Sequence, residues 1–404
     1  MTHKERFIKT VRGESTDALP FVPRLDIWYD ANRAAGTLPE KYKHASLIEL
    51  TDDLGLGFHS IVPRFRDFYN EDTGAADIGL GIYRYRALPY TVTLNGAERK
   101  IEYLPGGVTR VGYSTPRGKI ETAVRYDERM RADGASLSVT LERAVKSPAD
   151  YGALAYIFEN AEVKPDYGYF ETYMNETVGG RGIAAACASV FCSPMYYLLK
   201  ELVPFELFFT ELYDDPSGLE NLASSLARYC RKIFDVTAGC PAEVILSGAN
   251  YDAAITAPPF FSKYIAPELK RQSEILHGTG KFLATHADGE NSGLYEQYRG
   301  CGVDIADSVC PFPMTRHTLK EARGLLGENV TVWGGLPSVC VLEGSMGDYE
   351  FEAFLNKTME ELGSGERLVL SIADTAPPGM KFERLLKIIE KTREFGPVKT
   401  RPRV

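Results

Sequence analysis

The chain of 404 residues is 44% hydrophobic and 25% charged, with a formal net charge of −9. This length accommodates one elaborated barrel or two domains around a large core. The acidic balance argues against a nucleic-acid surface, which wants a basic stripe, and no apolar stretch approaches the ~20 residues of a membrane span.

The opening, MTHKERFIKTVRGE, is polar and lacks the apolar segment of a signal peptide, so the cytoplasm is the expected location. Strand-like apolar runs then recur, eight in all, each followed by turn residues and a helical pattern. The first two are 21–26 (FVPRLD) and 59–64 (HSIVPR). From about 80 to 145 the alternation breaks into a stretch rich in Tyr, Thr and Val. Asn95-Gly96 and Pro105-Gly106-Gly107 are turn signals within it, which predicts β-hairpins. Ser147-Pro148 opens a helix over 148–159, and the third run is 182–188. Asp215-Pro216 opens another helix through Lys232, followed by the fourth run, 244–249, and a helix over 260–278. The fifth run, 281–286, and the sixth, 304–309, come next. Thr318 and Glu321 have capping-box spacing ahead of Leu319, Ala322, Leu325 and Leu326. Runs 331–335 and 367–373 complete the set, with helices over 348–362 and 380–395. The basic run from Lys399 to Arg403 reads as a solvated end.

Continuous rather than alternating hydrophobicity marks strands covered on both faces. Eight of them alternating with helices predict a (β/α)8 TIM barrel, with a doubly wound open sheet as the alternative. The chain reads as one domain, 1–404, with a β-rich insertion at about 80–145 after the second strand. An insertion there emerges on the βα side, as a lid or a partner platform. Seven scattered cysteines without a CxxC pair predict free thiols in a reduced compartment.

The stretch KFLATHADGE (281–290) is the most informative: an apolar strand stops at His286, Asp288 and Glu290. In a barrel the strand ends converge on one mouth. The others supply Asp26, Arg64, Asn250, Tyr251, Ser308, Cys310, Trp333 and Asp374. Asp26, Arg64, Asn250, Tyr251 and Trp333 are candidate substrate contacts, whereas His286, Asp288 and Asp374, with Cys310, are candidates for catalysis and metal binding. Each also has a structural reading. Asp26 and Asp374 could cap following helices, Asn250 could be a turn residue, Trp333 core, and Cys310 a small buried hydrophobe. Two chemistries fit. His286 with Asp288, Asp374 or Cys310 binds Zn²⁺ as a Lewis acid, or His286 is a metal-free acid or base oriented by a carboxylate. No GxGxxG after a strand, GxxxxGK[ST] or GxSxG supports dinucleotide, nucleoside triphosphate or serine hydrolase chemistry.

Several segments in this order resemble the uroporphyrinogen decarboxylase superfamily, which includes cobalamin-dependent methyltransferases. They are ERFIKTVRGESTDALPFVP (5–23), NYDAAITAPPFFSKYIAPELKR (250–271), HADGE (286–290), PFPMT (311–315), VWGGLPS (332–338) and SIADTAPPGMKFERLLKIIE (371–390). The resemblance covers most of the chain and implies a (β/α)8 barrel. The porphyrinogen decarboxylases carry an RQAGR segment near the first strand. Here DIWYDANRAAGTLPEKY (26–42) keeps Asn32-Arg33 and LPEKY without the paired arginines, which speaks against a porphyrinogen substrate. The thiol-alkylating methyltransferases hold zinc with His-x-Cys and a later Cys. Here the positions are His286 and Asp288, with Asp374 near where the later cysteine falls.

Exchanging thiolates for carboxylates makes a harder, more Lewis-acidic site, suited to polarising the oxygen of a methyl ether. The resemblance therefore implies the substrate-side methyltransferase of an O-demethylase system. Its methyl donor would be a methoxylated small molecule, aromatic if Tyr251, Phe312 and Trp333 line the pocket. Its acceptor would be a separate corrinoid protein, because the chain lacks a DxHxxG cobalamin pattern. The β-rich insertion would help dock that partner, and the family suggests a homodimer. Two alternatives stand beside it. One is a lyase decarboxylating a non-porphyrin acid gripped by Arg33 and Arg64, and the other a non-catalytic barrel binding a ligand or partner protein.

Overall fold

The computed structural model describes residues 1–62, 80, 87–132, 135 and 138–400. After β1 (Phe58–Val62), the chain forms β2 (Tyr90–Leu94), β3 (Glu98–Leu104), β4 (Val108–Thr115), β5 (Gly118–Arg125), β6 (Val139–Glu142) and β7 (Ala161–Pro165). There follow β8 (Gly182–Ser189), β9 (Val244–Ala249), β10 (Phe282–His286), β11 (Ile305–Val309), β12 (Thr331–Pro337) and β13 (Leu368–Ala373). Seven of these make one sheet in the order β1-β8-β9-β10-β11-β12-β13. Pairing is parallel between β8 and β9 and from β10 through β13. Every residue of β9, β11, β12 and β13 is buried, as expected of strands covered on both faces.

The sheet has seven strands and is not a closed eight-stranded barrel. The expected first strand, 21–26, makes only one isolated parallel bridge, Phe21 to Leu370. The reason is Pro20 and Pro23, which flank Phe21 and Val22 and have no N–H to give a ladder. Val22 N–H still donates to Leu370 O (2.9 Å), and Gly57 N–H to Phe21 O (3.0 Å). This short segment thus occupies the gap beside β13 that an eighth strand would take, and the chain turns at once into helix Asp26–Ala35.

The chain divides into two compact units. One comprises Met1–Ile61, Tyr173–Ala185 and Ala249–Val404. Its helix starts are local chemistry: Thr2 with Glu5, Ser46 with Glu49 and Thr318 with Glu321 each form a capping box. The other unit comprises Val62–Thr172 and Ala186–Gly248, wider than the expected insertion. It holds the antiparallel sheet β3-β4-β5-β6 and the pair β2-β7. Pro105-Gly106-Gly107 turns β3 into β4, with both glycines at positive φ. Asn95-Gly96 also turns the chain, yet it closes no hairpin, because β2 pairs with β7 rather than with β3. Among the described residues no helix is long and apolar enough to cross a membrane.

Candidate functional site

The site lies within the first unit. β10 ends at His286, and its parallel register places His286 directly opposite Asp307 of β11. His286 Nδ1 is 2.6 Å from Asp307 Oδ2, and both side chains are buried. On the other side of the ring, Nε2 lies 3.5 Å from Asp374 Oδ1, just beyond the end of β13. Asp288 follows two residues after the histidine. His286, Asp288 and Asp374 each offer one ligand atom, all within 4.8 Å of one another, so the three could hold a metal ion.

Two local distortions build this convergence. In a regular strand Asp307 and Ser308 would face opposite ways. A register shift between Asp307 and Val309 and a left-handed Ser308 (φ 59°) bend β11 at that point. Asp307 therefore reaches His286 while Ser308 Oγ donates to Asp374 Oδ1 at 3.0 Å. The neighbouring Gly334 makes room, since a Cβ there would sit 2.6 Å from Val309 O. Beyond β10 the loop is clamped by buried Asn291, whose Nδ2 donates to Ala287 O (2.9 Å) and Gly289 O (2.8 Å). Glu290 fastens the same loop: it accepts from Ser292 Oγ (2.5 Å) and from Arg316 N–H (3.0 Å). That carboxylate is occupied with holding two loops together.

Beneath the cluster lies a buried guanidinium. Arg24 Nε donates to Asp26 Oδ1 at 3.0 Å, and Nη1 lies 3.3 Å from both oxygens of Asp374. Burial penalises the charge of His286, but Asp374 and Asp307 outweigh it and raise the pKa to about 9. Burial raises the carboxyl of Asp288. It would raise Asp374 too, yet His286 and Arg24 prevail and hold that group below the usual range. Burial likewise disfavours the Arg24 charge, and Asp26 and Asp374 more than restore it.

The other expected residues fall into two groups. Asp26 is buried against Arg24 at the first residue of its helix, where it supports the site from below rather than lining its mouth. Trp333 is 2% exposed, its indole N–H donates to Val22 O (3.1 Å), and it packs edge-on against Phe7, in the core of the sheet. Tyr251 is equally buried, among Phe261 and Tyr298. Asn250 is an exposed left-handed turn residue (φ 54°) whose N–H donates to His286 O at 3.0 Å. Cys310 is not one of the three convergent donors. Its Sγ lies 3.8 Å from Ala373 O and 3.5 Å from Met314 Sδ, and burial pushes its thiol up to about 12. Arg64 lies outside the described residues. Arg33, considered as a carboxylate grip, is exposed and lies against the ring of Tyr29.

Sequence reasoning missed Arg24, Asp307 and His59. Asp307 was findable: if 304–309 is the parallel neighbour of 281–286, its strand-end aspartate stands beside His286. Arg24 gave a fainter signal, a charge in a short apolar run directly after Pro23. His59 packs on Trp333 with ring centroids 4.7 Å apart, and burial lowers its pKa to about 4.

No protein-family model matches the chain, and no curated protein sequence matches it. Among solved structures it is similar to a methyltransferase from Methanosarcina mazei, with a TM-score of 0.51 and 14% identity. The likeness covers 98% of this chain and 99% of that one. At that identity the chain shares the fold of the archaeal methyltransferase.

Proposed function

We propose that this chain is a substrate-side methyltransferase moving a methyl group from a methoxylated small molecule to a corrinoid carried on a separate protein. The observation that carries the reading is the donor set: one imidazole and two carboxylates converging within 4.8 Å. Around them, the carboxylates of Asp26, Asp288, Asp307 and Asp374 against the guanidinium of Arg24 leave a negative excess that favours a divalent cation. Imidazole and carboxylate oxygens suit zinc. The fold shared with a methyltransferase supports the same reading.

His286, Asp288 and Asp374 would hold a divalent ion, which would supply Lewis acidity at the ether oxygen. The chain does the rest. Asp374, with a side chain 29% exposed, opens the site to a substrate oxygen, while His286 stays buried behind it. Arg24 and Ser308 hold Asp374 ionised and in place. The transfer would form the Co–CH₃ bond with the electron pair of the partner protein's cobalt(I) and break the CH₃–O bond, whose pair would stay on oxygen and take a proton from water.

A second reading uses the same residues without a metal. The imidazolium of His286, held between Asp307 and Asp374, then acts as a general acid in a lyase or transferase; its raised pKa is the observation that favours this. Metal analysis separates the two. The first reading expects one zinc per chain, lost in His286→Ala, and methylcobalamin formed from free cob(I)alamin and a methoxylated arene by the zinc-loaded protein. A chain that takes up no zinc after equilibration would overturn it and leave the acid reading.

A further inference from the structure

Resting on the metal reading, we propose that Asp307 is a positioning residue: it determines which nitrogen of His286 faces the ligand cluster and holds the ring there. A neutral imidazole carries one N–H and one lone pair, and a carboxylate can only accept. The 2.6 Å contact of Asp307 Oδ2 with Nδ1 therefore keeps the proton on Nδ1 and turns the Nε2 lone pair toward Asp374 and Asp288. Asp307 is not among the three convergent donors, so its carboxylate serves the histidine instead of an ion.

The fold holds Asp307 rigidly for this task. It is His286's register partner, Ala287 N–H donates to its carbonyl at 2.6 Å, and the bend at Ser308 sets its direction. A carboxylate this buried is costly unless it is paired, and His286 is that partner. Such outer contacts fix a ligand's ring orientation and raise its basicity.

The test uses the full chain with zinc or cadmium alone. Asp307→Asn keeps the shape and removes the charge; zinc affinity, measured against a chromophoric chelator, is expected to weaken by about 10–100-fold. In cadmium-113-loaded wild type with ¹⁵N-labelled histidines, the metal coupling is expected on Nε2 of His286, with Nδ1 protonated. That measurement decides alone if Asp307→Asn misfolds by circular dichroism. An affinity within about twofold of wild type, or coupling on Nδ1, overturns the inference while the metal reading stands. A wild type that binds neither ion removes the metal reading and the inference together.

Discussion

Arg24→Met is the sharpest probe of the site's charge balance. Methionine roughly fills the space of the arginine stem but leaves Asp26 and Asp374 without the guanidinium that Arg24 places 3.0 and 3.3 Å from them. Removing one partner of a buried ion pair typically costs about 3–5 kcal/mol, because the remaining charge is stranded. At roughly 2–4 °C per kcal/mol for a unit of a few hundred residues, the metal-free protein should melt about 6–20 °C lower. Saturating zinc should recover more of this loss in the variant than it adds to wild type, since the cation replaces the missing positive charge. Adding Asp26→Asn should also return part of the stability. Thermal scans with and without zinc measure all three. A loss below about 1 kcal/mol, or a double variant no more stable than the single one, would refute the argument that Arg24 neutralises this pocket.

Two further outcomes follow from the same geometry. Burial depresses the folded pKa of His59 to about 4, against about 6.5 in an unfolded chain. The unfolded state then binds the proton more tightly, so the contribution of neutral His59 is complete above about 6.5 and disappears as pH falls toward about 4, up to about 3 kcal/mol in all. Urea midpoints measured across that window should fall more steeply in wild type than in His59→Gln; parallel curves would contradict the assignment. Trp333→Ala should cost about 3–5 kcal/mol by opening a core cavity and leave zinc stoichiometry unchanged. A cost under about 1 kcal/mol would mean that the indole is not core packing.

Much of the sheet was legible because burial on both faces writes unbroken apolar runs, and 244–249 matches β9 at both ends. The run 21–26 misled for the same reason. Its residues are buried and most are apolar, but Pro20 and Pro23 deny it a ladder, and hydrophobicity alone does not count N–H groups. Asn95-Gly96 is a similar case: a turn dipeptide predicts reversal of the chain, and only long-range pairing decides that β2 joins β7. Within the site, His286, Asp288 and Asp374 were readable as strand ends. The run 331–335 stops short of the strand's end: β12 continues to Pro337, so Trp333 is an interior position and packs in the core. Arg24 and Asp307 lie one layer down, where their roles come from neighbours distant in sequence.

That lower layer bears on what the site can do. A histidine and two carboxylates alone would bind protons as readily as a cation, and the raised pKa values of His286 and Asp288 express that competition. Arg24 and Ser308 shift it at one ligand, holding Asp374 ionised by charge and by a donated hydrogen bond. The same two contacts withdraw electron density from Asp374, so an ion bound there keeps more of its own charge for a substrate oxygen. Asp307 works in the opposite sense on His286, making the imidazole a stronger donor. One ligand strengthened and one weakened is a combination that would grip a cation and leave it acidic, as the proposed cleavage of a methyl ether requires.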